Sequence, residues 1–162
     1  MTPERTGHGA LMWNGAPRPP GPSVVVDIDG TLSDARARLH FIEGRPTDWD
    51  AFFDAAANDP LIEPIARLLD ALDRDLLVVL LTGRPVRVRD DTLAWLDADD
   101  VRWDLLVMRA GGEHRPAPEA KLEAVRALEA TGFELRLALD DDARNVAMFA
   151  AEGIPCVELH SG

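Results

Sequence analysis

Asp27 and Asp29 stand one residue apart, directly after a run of valines at positions 24–26. The β-branched run predicts a buried strand, and Gly30 suits the sharp turn that would follow it. Because side chains alternate along a strand, both carboxylates would point to the same side, just beyond its carboxyl end. Two carboxylates placed there suit a divalent cation, or a nucleophile beside an acid–base group. The alternative is an ordinary solvated turn, in which Asp and Gly are common.

A hydroxyl and an ammonium group occur at two further positions. Thr82 and Gly83 follow a second apolar run at residues 76–81, and a strand-to-helix turn alone would explain them. Lys121 is the only lysine beside sixteen arginines, which raises the question of whether its position needs a compact positive charge. A surface ion pair with a neighbouring glutamate is the alternative, and such pairs contribute only ~0–1 kcal/mol.

A third acidic group, Asp140 to Asp142, follows the apolar stretch at residues 134–139. Acidic residues before a helix commonly cap its N-terminus, and Asp142 is the one we expect to do so. Asp140 and Asp141 then remain available as ligands or charged partners.

Alternating strands and helices predict how these groups come together. Continuously apolar strands separated by helices indicate a parallel sheet covered on both faces. In such a sheet, the carboxyl ends of the strands lie along one edge, where ligands bind. The predicted strands are at about 23–27, 76–81, 104–108, 134–139 and 155–159. The predicted helices are near 34–41, 48–57, 61–74, 87–97 and 143–152, with one more that follows a loop at 110–118 and runs through about 130.

Together these residues resemble the four motifs of the haloacid dehalogenase superfamily, in the order of that family. The segment from Asp27 to Thr31 reads Asp-Ile-Asp-Gly-Thr, and the other three motifs are Thr82, Lys121 and the pair Asp140-Asp141. The resemblance implies a three-layer Rossmann-like fold with a mainly parallel five-stranded sheet, helices on both faces and a minimal cap. It also implies a phosphatase that uses Mg²⁺ and an aspartyl-phosphate intermediate.

The same resemblance implies a role for each matching residue. Asp27 would be the nucleophile and Asp29 the general acid and base. Thr82 and neighbouring backbone N–H groups would bind the phosphoryl oxygens, and Lys121 would offset negative charge. The implied metal ligands are Asp27, Asp29 through its backbone carbonyl, Asp140 and Asp141. The implied substrate-binding residues are Gly30, Thr31, Arg38, Gly83 and Arg84.

A narrower resemblance is to the 3′-phosphatase domain of phage-type polynucleotide kinases. It depends on Arg38, eleven residues after Asp27, on the segment around Arg84, and on an aromatic helix after the Asp-Asp pair. It implies that both arginines contact the substrate phosphate or a flanking nucleotide, as the arginine fork is suited to do. That family carries Asp four residues before the motif lysine, where this chain has Ala117. No Walker-type phosphate loop is present, so we expect no kinase activity.

Length, composition and charge limit the domain number, the partners and the location that we expect for this protein. The 162 residues suit one domain at 23–162, preceded by a flexible segment rich in Pro and Gly at 1–22. A net charge of −12 argues against general coating of DNA. The single cysteine, Cys156, is expected to be a small core residue. No apolar run reaches ~18 residues and no secretory signal is present, so we expect a cytoplasmic protein without a membrane partner.

Residues 34–60 are the only candidate cover for the site. Four aromatics, Phe41, Trp49, Phe52 and Phe53, could stack nucleobases, although the spacing on the helix at 48–57 favours core packing. We expect a phosphomonoesterase for the 3′-phosphate of a DNA or RNA end or for a nucleotide. The alternatives are a phosphatase for an unrelated small phosphate ester and a phosphate-binding regulator without turnover.

Overall fold

A six-stranded sheet forms the centre of the computed structural model, which describes residues 10–111 and 115–160. The strands are β1 (Leu11–Trp13), β2 (Pro22–Val26), β3 (Leu77–Pro85), β4 (Leu105–Arg109), β5 (Glu134–Asp140) and β6 (Cys156–Glu158). Their order across the sheet is β1-β4-β3-β2-β5-β6. β1 pairs with β4 in the antiparallel direction, and the other neighbours pair in parallel. This confirms the predicted α/β class with a mainly parallel sheet.

Helices cover both faces of the sheet, as the apolar strands require. They are α1 (His40–Glu43), α2 (Trp49–Asp54), α3 (Glu63–Ala71), α4 (Arg89–Ala98), α5 (Ala117–Ala130) and α6 (Ala143–Ala151). On one face α3 and α4 bury Leu69 and Leu96 against the strands, and on the other α5 and α6 bury Val125 and Phe149. In the described part of the chain, no helix combines the length and apolar character needed to cross a bilayer.

The N-terminal segment differs from our expectation. We predicted five strands and no fixed fold for residues 1–22, but residues 11–13 form β1 at the edge of the sheet. β1 pairs with the unpaired edge of β4, and Trp13 stacks on Phe133 with 6.3 Å between the ring centroids. These three residues gain ladder hydrogen bonds, and Met12 and Trp13 partial burial, only because that edge is available, which their short pattern does not reveal. Residues 1–9 lie outside the described part.

The functional edge of the sheet is at the end of β2. β2 has β3 on one side and β5 on the other, so the chain order reverses at this strand. A crevice forms at such a switch point because the connections leave it in opposite directions. Between β2 and α3, the short helices α1 and α2 and the 3₁₀ turns Arg36–Arg38 and Ala55–Asn58 form the small cover that was predicted.

Candidate active site

Asp27 and Asp29 lie in a tight loop at the end of β2. The backbone N–H of Asp27 still donates to Leu139 of β5, and the Ile28 carbonyl accepts three N–H groups from residues 31–33. Gly30 has φ = +85°, which favours glycine because a side chain would be strained there. A Cβ at Gly30 would also lie 1.9 Å from Oδ2 of Asp141, so the absence of a side chain lets two loops approach closely.

Lys121 links two of the predicted acidic residues. Its Nζ donates to Oδ1 of Asp27 at 2.9 Å and to Oδ2 of Asp140 at 2.8 Å, and all three side chains are buried. Lys121 shares the buried face of α5 with Val125 and Leu128, at the i, i+4 and i+7 spacing that directs a helix face inward. The surface ion pair we considered for Lys121 is therefore wrong.

Charge and burial oppose each other at this contact. Burial alone would lower the pKa of Lys121, but the charges of Asp27 and Asp140 outweigh it and raise the pKa, so the side chain stays an ammonium. The pKa of Asp27 is raised well above its ordinary value by burial, despite Lys121, and the other aspartates add to the shift. Burial thus favours the neutral acid of Asp27, and a cation bound beside it would favour the carboxylate.

The same group of aspartates suits a divalent cation. One oxygen each from Asp27, Asp140 and Asp141 lies within 4.8 Å of the others. Next to them Asn145, with a 3% exposed side chain, donates its amide to Asp140, while its Oδ1 is buried and meets no partner among the described residues. Carboxylate and amide oxygens are the ligands that Mg²⁺ prefers, so the residues present fit that ion. Asp142 caps α6, as predicted, by accepting the backbone N–H of Arg144.

Arg38 and Arg84 hold Asp29 from two sides. Arg84 donates to Oδ1 of Asp29 through Nη2 at 2.8 Å and through Nε at 3.1 Å, and Nη2 of Arg38 donates to the same oxygen. Burial alone would raise the pKa of Asp29, but the two guanidinium groups outweigh it and hold the pKa below its ordinary value. Asp29 is therefore an ionised carboxylate.

Arg38 and Arg84, which the sequence analysis expected to contact substrate, are turned toward protein groups, and their direct contact with substrate stays a prediction. Only 2% of Arg38 and 1% of Arg84 is exposed, and their donor groups face protein acceptors. Arg38 also donates to the Phe52 carbonyl at 3.1 Å, and Arg84 to the hydroxyl of Thr92 at 3.1 Å. Their charges are used to orient Asp29.

Asp59 completes the arginine network and was missed by the sequence analysis. Its carboxylate accepts from Nε of Arg38 at 2.9 Å and from Nη2 at 2.6 Å, and it also accepts the hydroxyl of Ser33. Its side chain is 4% exposed. In the sequence Asp59 lies between Asn and Pro and belongs to no recognisable motif. The need of a buried arginine for an acidic partner was the only signal that could have pointed to it. Asn145 was missed for a similar reason.

The remaining predicted residues lie around the same edge. Thr31 donates from its hydroxyl to Oδ2 of Asp27 at 3.3 Å, and Thr82 accepts the backbone N–H of Arg84 at 3.1 Å. Thr82 and Gly83 line a small hollow that also includes Lys121. Gly83, Gly30 and Lys121 border the main cavity as well. The structure thus brings the motif residues to one place.

The main cavity is lined by both polar and apolar residues. Its volume is about 700 Å³, within the roughly 300–1,000 Å³ of small-molecule sites. The polar lining includes Asp27, Asp29 and Asp141, and the cover contributes apolar lining residues, among them Leu39, Ile42, Trp49, Phe52 and Phe53. Ala117, which stands where the resembling family has Asp, lines the cavity near Lys121.

Comparison with known proteins shows which family this chain resembles. The family model of the polynucleotide kinase PNKP phosphatase domain matches residues 21–162. A chain in a structure of the Pnkp1/Rnl/Hen1 RNA repair complex is 30% identical with a TM-score of 0.68, and the match covers 88% of this chain and 43% of that one. A second structure of the Pnkp1/Rnl/Hen1 complex gives 30% identity, a TM-score of 0.69, and coverage of 88% of this chain and 47% of that one.

This chain therefore spans less than half the length of those two chains. A HAD-superfamily hydrolase of subfamily IA from Geobacter sulfurreducens PCA is 16% identical, with a TM-score of 0.56 and coverage of 85% of this chain and 86% of that one. At that identity the likeness shows a shared fold.

Proposed function

Because this chain belongs to the PNKP phosphatase-domain family of the haloacid dehalogenase superfamily, and is thus a phosphatase, we propose that it is a Mg²⁺-dependent phosphomonoesterase for the 3′-phosphate of a polynucleotide end or a nucleotide. The observation that carries this proposal is the buried contact of Lys121 with both Asp27 and Asp140, beside Asp141. In this contact Asp27 would be the nucleophile and Lys121 the fixed positive charge, and the aspartates would be the cation ligands, all at one edge of the sheet.

The first chemical step in this proposal uses Asp27 as the nucleophile. A carboxylate oxygen of Asp27 attacks phosphorus, the bond from phosphorus to the ester oxygen breaks, and that oxygen takes a proton from Asp29. The arginines hold Asp29 ionised in the free protein, but a phosphate dianion beside it raises its pKa by repulsion and favours uptake of that proton. Lys121 offsets the negative charge that the two reacting anions share.

The second step releases phosphate and restores the protein. Asp29, again a carboxylate, accepts a proton from water, whose oxygen attacks phosphorus and displaces the Asp27 carboxylate. Arg38 and Arg84 favour this base form. Asp27, Asp140 and Asp141 would hold Mg²⁺, with Asp29 contributing its backbone carbonyl, and the bound ion would supply positive charge for the phosphoryl oxygens. Thr82 and the backbone N–H groups near Gly30, Thr31 and Gly83 would bind those oxygens.

The experiment that tests the proposal measures phosphate release with Mg²⁺ on a 3′-phosphorylated oligonucleotide, nucleoside monophosphates and sugar phosphates. We expect the first two groups to be the best substrates, and Asp27→Asn to lower kcat at least about 1,000-fold because the nucleophile is lost. Asp70→Asn, on the exposed face of α3, is the matched control and should behave as wild type.

Circular dichroism and thermal unfolding would show that Asp27→Asn remains folded. Wild-type turnover by folded Asp27→Asn would refute the nucleophile. A clear preference for sugar phosphates would instead favour the alternative of an unrelated small ester.

A further inference from the structure

We propose that the nucleobase of the terminal nucleotide stacks on Trp49, so that the site recognises one nucleoside and its phosphate rather than a length of nucleic-acid backbone. This inference rests on the proposed function and names the substrate-specificity residue of the same site. Trp49 lies at the start of α2 and lines the cavity that also contains Asp27 and Asp29.

Trp49 is unusually exposed for a large apolar side chain. It is 51% exposed, whereas Phe52, three residues later on the same helix, is 5% exposed and belongs to the core. The core packing that the sequence favoured for these aromatics is therefore confirmed for Phe52 but is wrong for Trp49. An exposed indole that borders a cavity offers a flat surface for an aromatic ligand, and every nucleobase has a matching flat face.

The indole is also held in place. Its ring lies 5.6 Å from Phe52 in an edge-on arrangement and 5.9 Å from Phe53 at an interplanar angle of 27°, both measured between centroids. Asp48 caps the helix by accepting the backbone N–H of Ala51 at 3.0 Å. A platform that is already ordered loses little conformational entropy when a ligand stacks on it.

A direct chain of contacts joins this platform to the reacting groups. Arg38 donates to the carbonyl of Phe52 at 3.1 Å and its guanidinium carbon lies 4.3 Å from the centre of the Phe52 ring. The other side of the same guanidinium group donates to Asp29. One arginine therefore sets the position of α2 relative to the acid–base carboxylate. A bound nucleoside would have to span the distance between these two parts of the site.

The charges around the cavity favour a base over a stretch of phosphates. Arg36 pairs with Asp34 at 2.7 Å, and Arg144 pairs with Asp142 at 2.8 Å, so each of these rim arginines has an acidic partner two residues away. The chain as a whole carries a net charge of −12. Binding to a long backbone depends on cations that replace its counterions, and such surroundings oppose it. An aromatic wall beside one phosphoryl site fits a single nucleoside phosphate.

The test uses two 3′-phosphorylated oligonucleotides that differ only in the terminal nucleotide, which carries a base in one and is abasic in the other. For wild type we expect kcat/KM to be about 5- to 160-fold higher with the base, the range that stacking of one base provides. Trp49→Ala should remove this preference, Trp49→Phe should retain most of it, and Leu68→Ala should leave it unchanged. Leu68 is a matched control because it is also exposed, at 42%, but lies on α3.

A second measurement does not depend on how Trp49→Ala folds. In the Asp27→Asn background, a 3′-phosphorylated oligonucleotide with terminal 2-aminopurine should lose fluorescence on binding, because the base stacks. Equal kcat/KM for the two oligonucleotides in wild type, or unquenched 2-aminopurine on binding, would overturn the inference while leaving the proposed function intact. Failure of the proposed function is a different result, in which both oligonucleotides resist hydrolysis and another phosphate ester is cleaved.

Discussion

The guanidinium of Arg84 lies against the carboxylate of Asp29, with Nη2 2.8 Å and Nε 3.1 Å from Oδ1, although 55 positions separate the two residues in the chain. Arg38 contacts the same carboxylate from the cover of the cavity. Both arginines are almost fully buried, so they fix the direction and ionisation of Asp29. This relationship changes what substitutions at Arg38 and Arg84 should do.

We predict that Arg38→Lys lowers kcat by about 100-fold, because a lysine cannot hold Asp29, Asp59 and the Phe52 carbonyl at once and Asp29 loses its position. The factor should be the same for a 3′-phosphorylated oligonucleotide and for p-nitrophenyl phosphate, since Arg38 acts on Asp29. Steady-state kinetics on the two substrates provide the measurement. A selective loss on the oligonucleotide would instead mean that Arg38 contacts nucleic acid, as the sequence had suggested.

Asp59→Ala should destabilise the fold, because it leaves the buried guanidinium of Arg38 without its main partner. Removal of one member of a buried ion pair typically lowers the free energy of unfolding by about 3–5 kcal/mol. Urea denaturation provides the measurement, with Glu63→Ala as control, since Glu63 pairs with Arg67 on the exposed surface of α3. Similar unfolding midpoints for the two variants would contradict a structural role for Asp59.

The proposed cation site predicts a thermal shift that can be measured without substrate. Mg²⁺ should raise the Tm of wild type in proportion to the logarithm of its concentration once the site is filled, because it binds the folded state. Asp141→Asn should reduce this shift, and Asp34→Asn should retain it. Asp34 lines the same cavity but lies outside the group of Asp27, Asp140 and Asp141. Equal shifts in the two variants would place the ion elsewhere.

Gly30→Ala should lower activity by about 10- to 100-fold, the loss that typically follows a change in the surroundings of a metal ligand. The new methyl group would overlap Asp141 and would also need a φ of +85°, which itself is worth about 1–2 kcal/mol of strain. Gly21→Ala is the control, because a Cβ there would have no heavy atom within 4 Å. Phosphate release and Tm measured on both variants test this, and wild-type activity in Gly30→Ala would contradict the close approach of the two loops.

Cys156 should react slowly with thiol reagents. Burial raises the pKa of its thiol to about 11 from an ordinary 9.0, and the negative charge of Asp140 adds to the shift. Because a raised pKa favours the neutral thiol, the alkylation rate of folded protein should still increase tenfold per pH unit between pH 8 and 10. In urea the rate should level near pH 9, and levelling at that pH in folded protein would be inconsistent with the burial seen here.

Much of the site follows from the sequence because local rules place it. The alternation of strand side chains predicts that Asp27 and Asp29 lie together, and parallel strands bring Thr82 and Asp140 to the same edge. Both rules operate within one strand or between neighbours, so the pattern of residue types suffices. The resemblance to a phosphatase family was confirmed for the same reason, since its motifs are short segments at strand ends.

Other features were decided by the tertiary structure. Asp59 meets Arg38 only because the cover folds back over the end of β2, and nothing near either residue in the chain encodes that contact. The burial of Arg38 and Arg84, the exposure of Trp49 and the pairing of β1 with β4 likewise depend on which distant surfaces meet. Charge and shape complementarity between segments far apart is a property of the packed molecule. The support of Asp29 by Arg38 and Arg84 likewise exists only once the chain is folded.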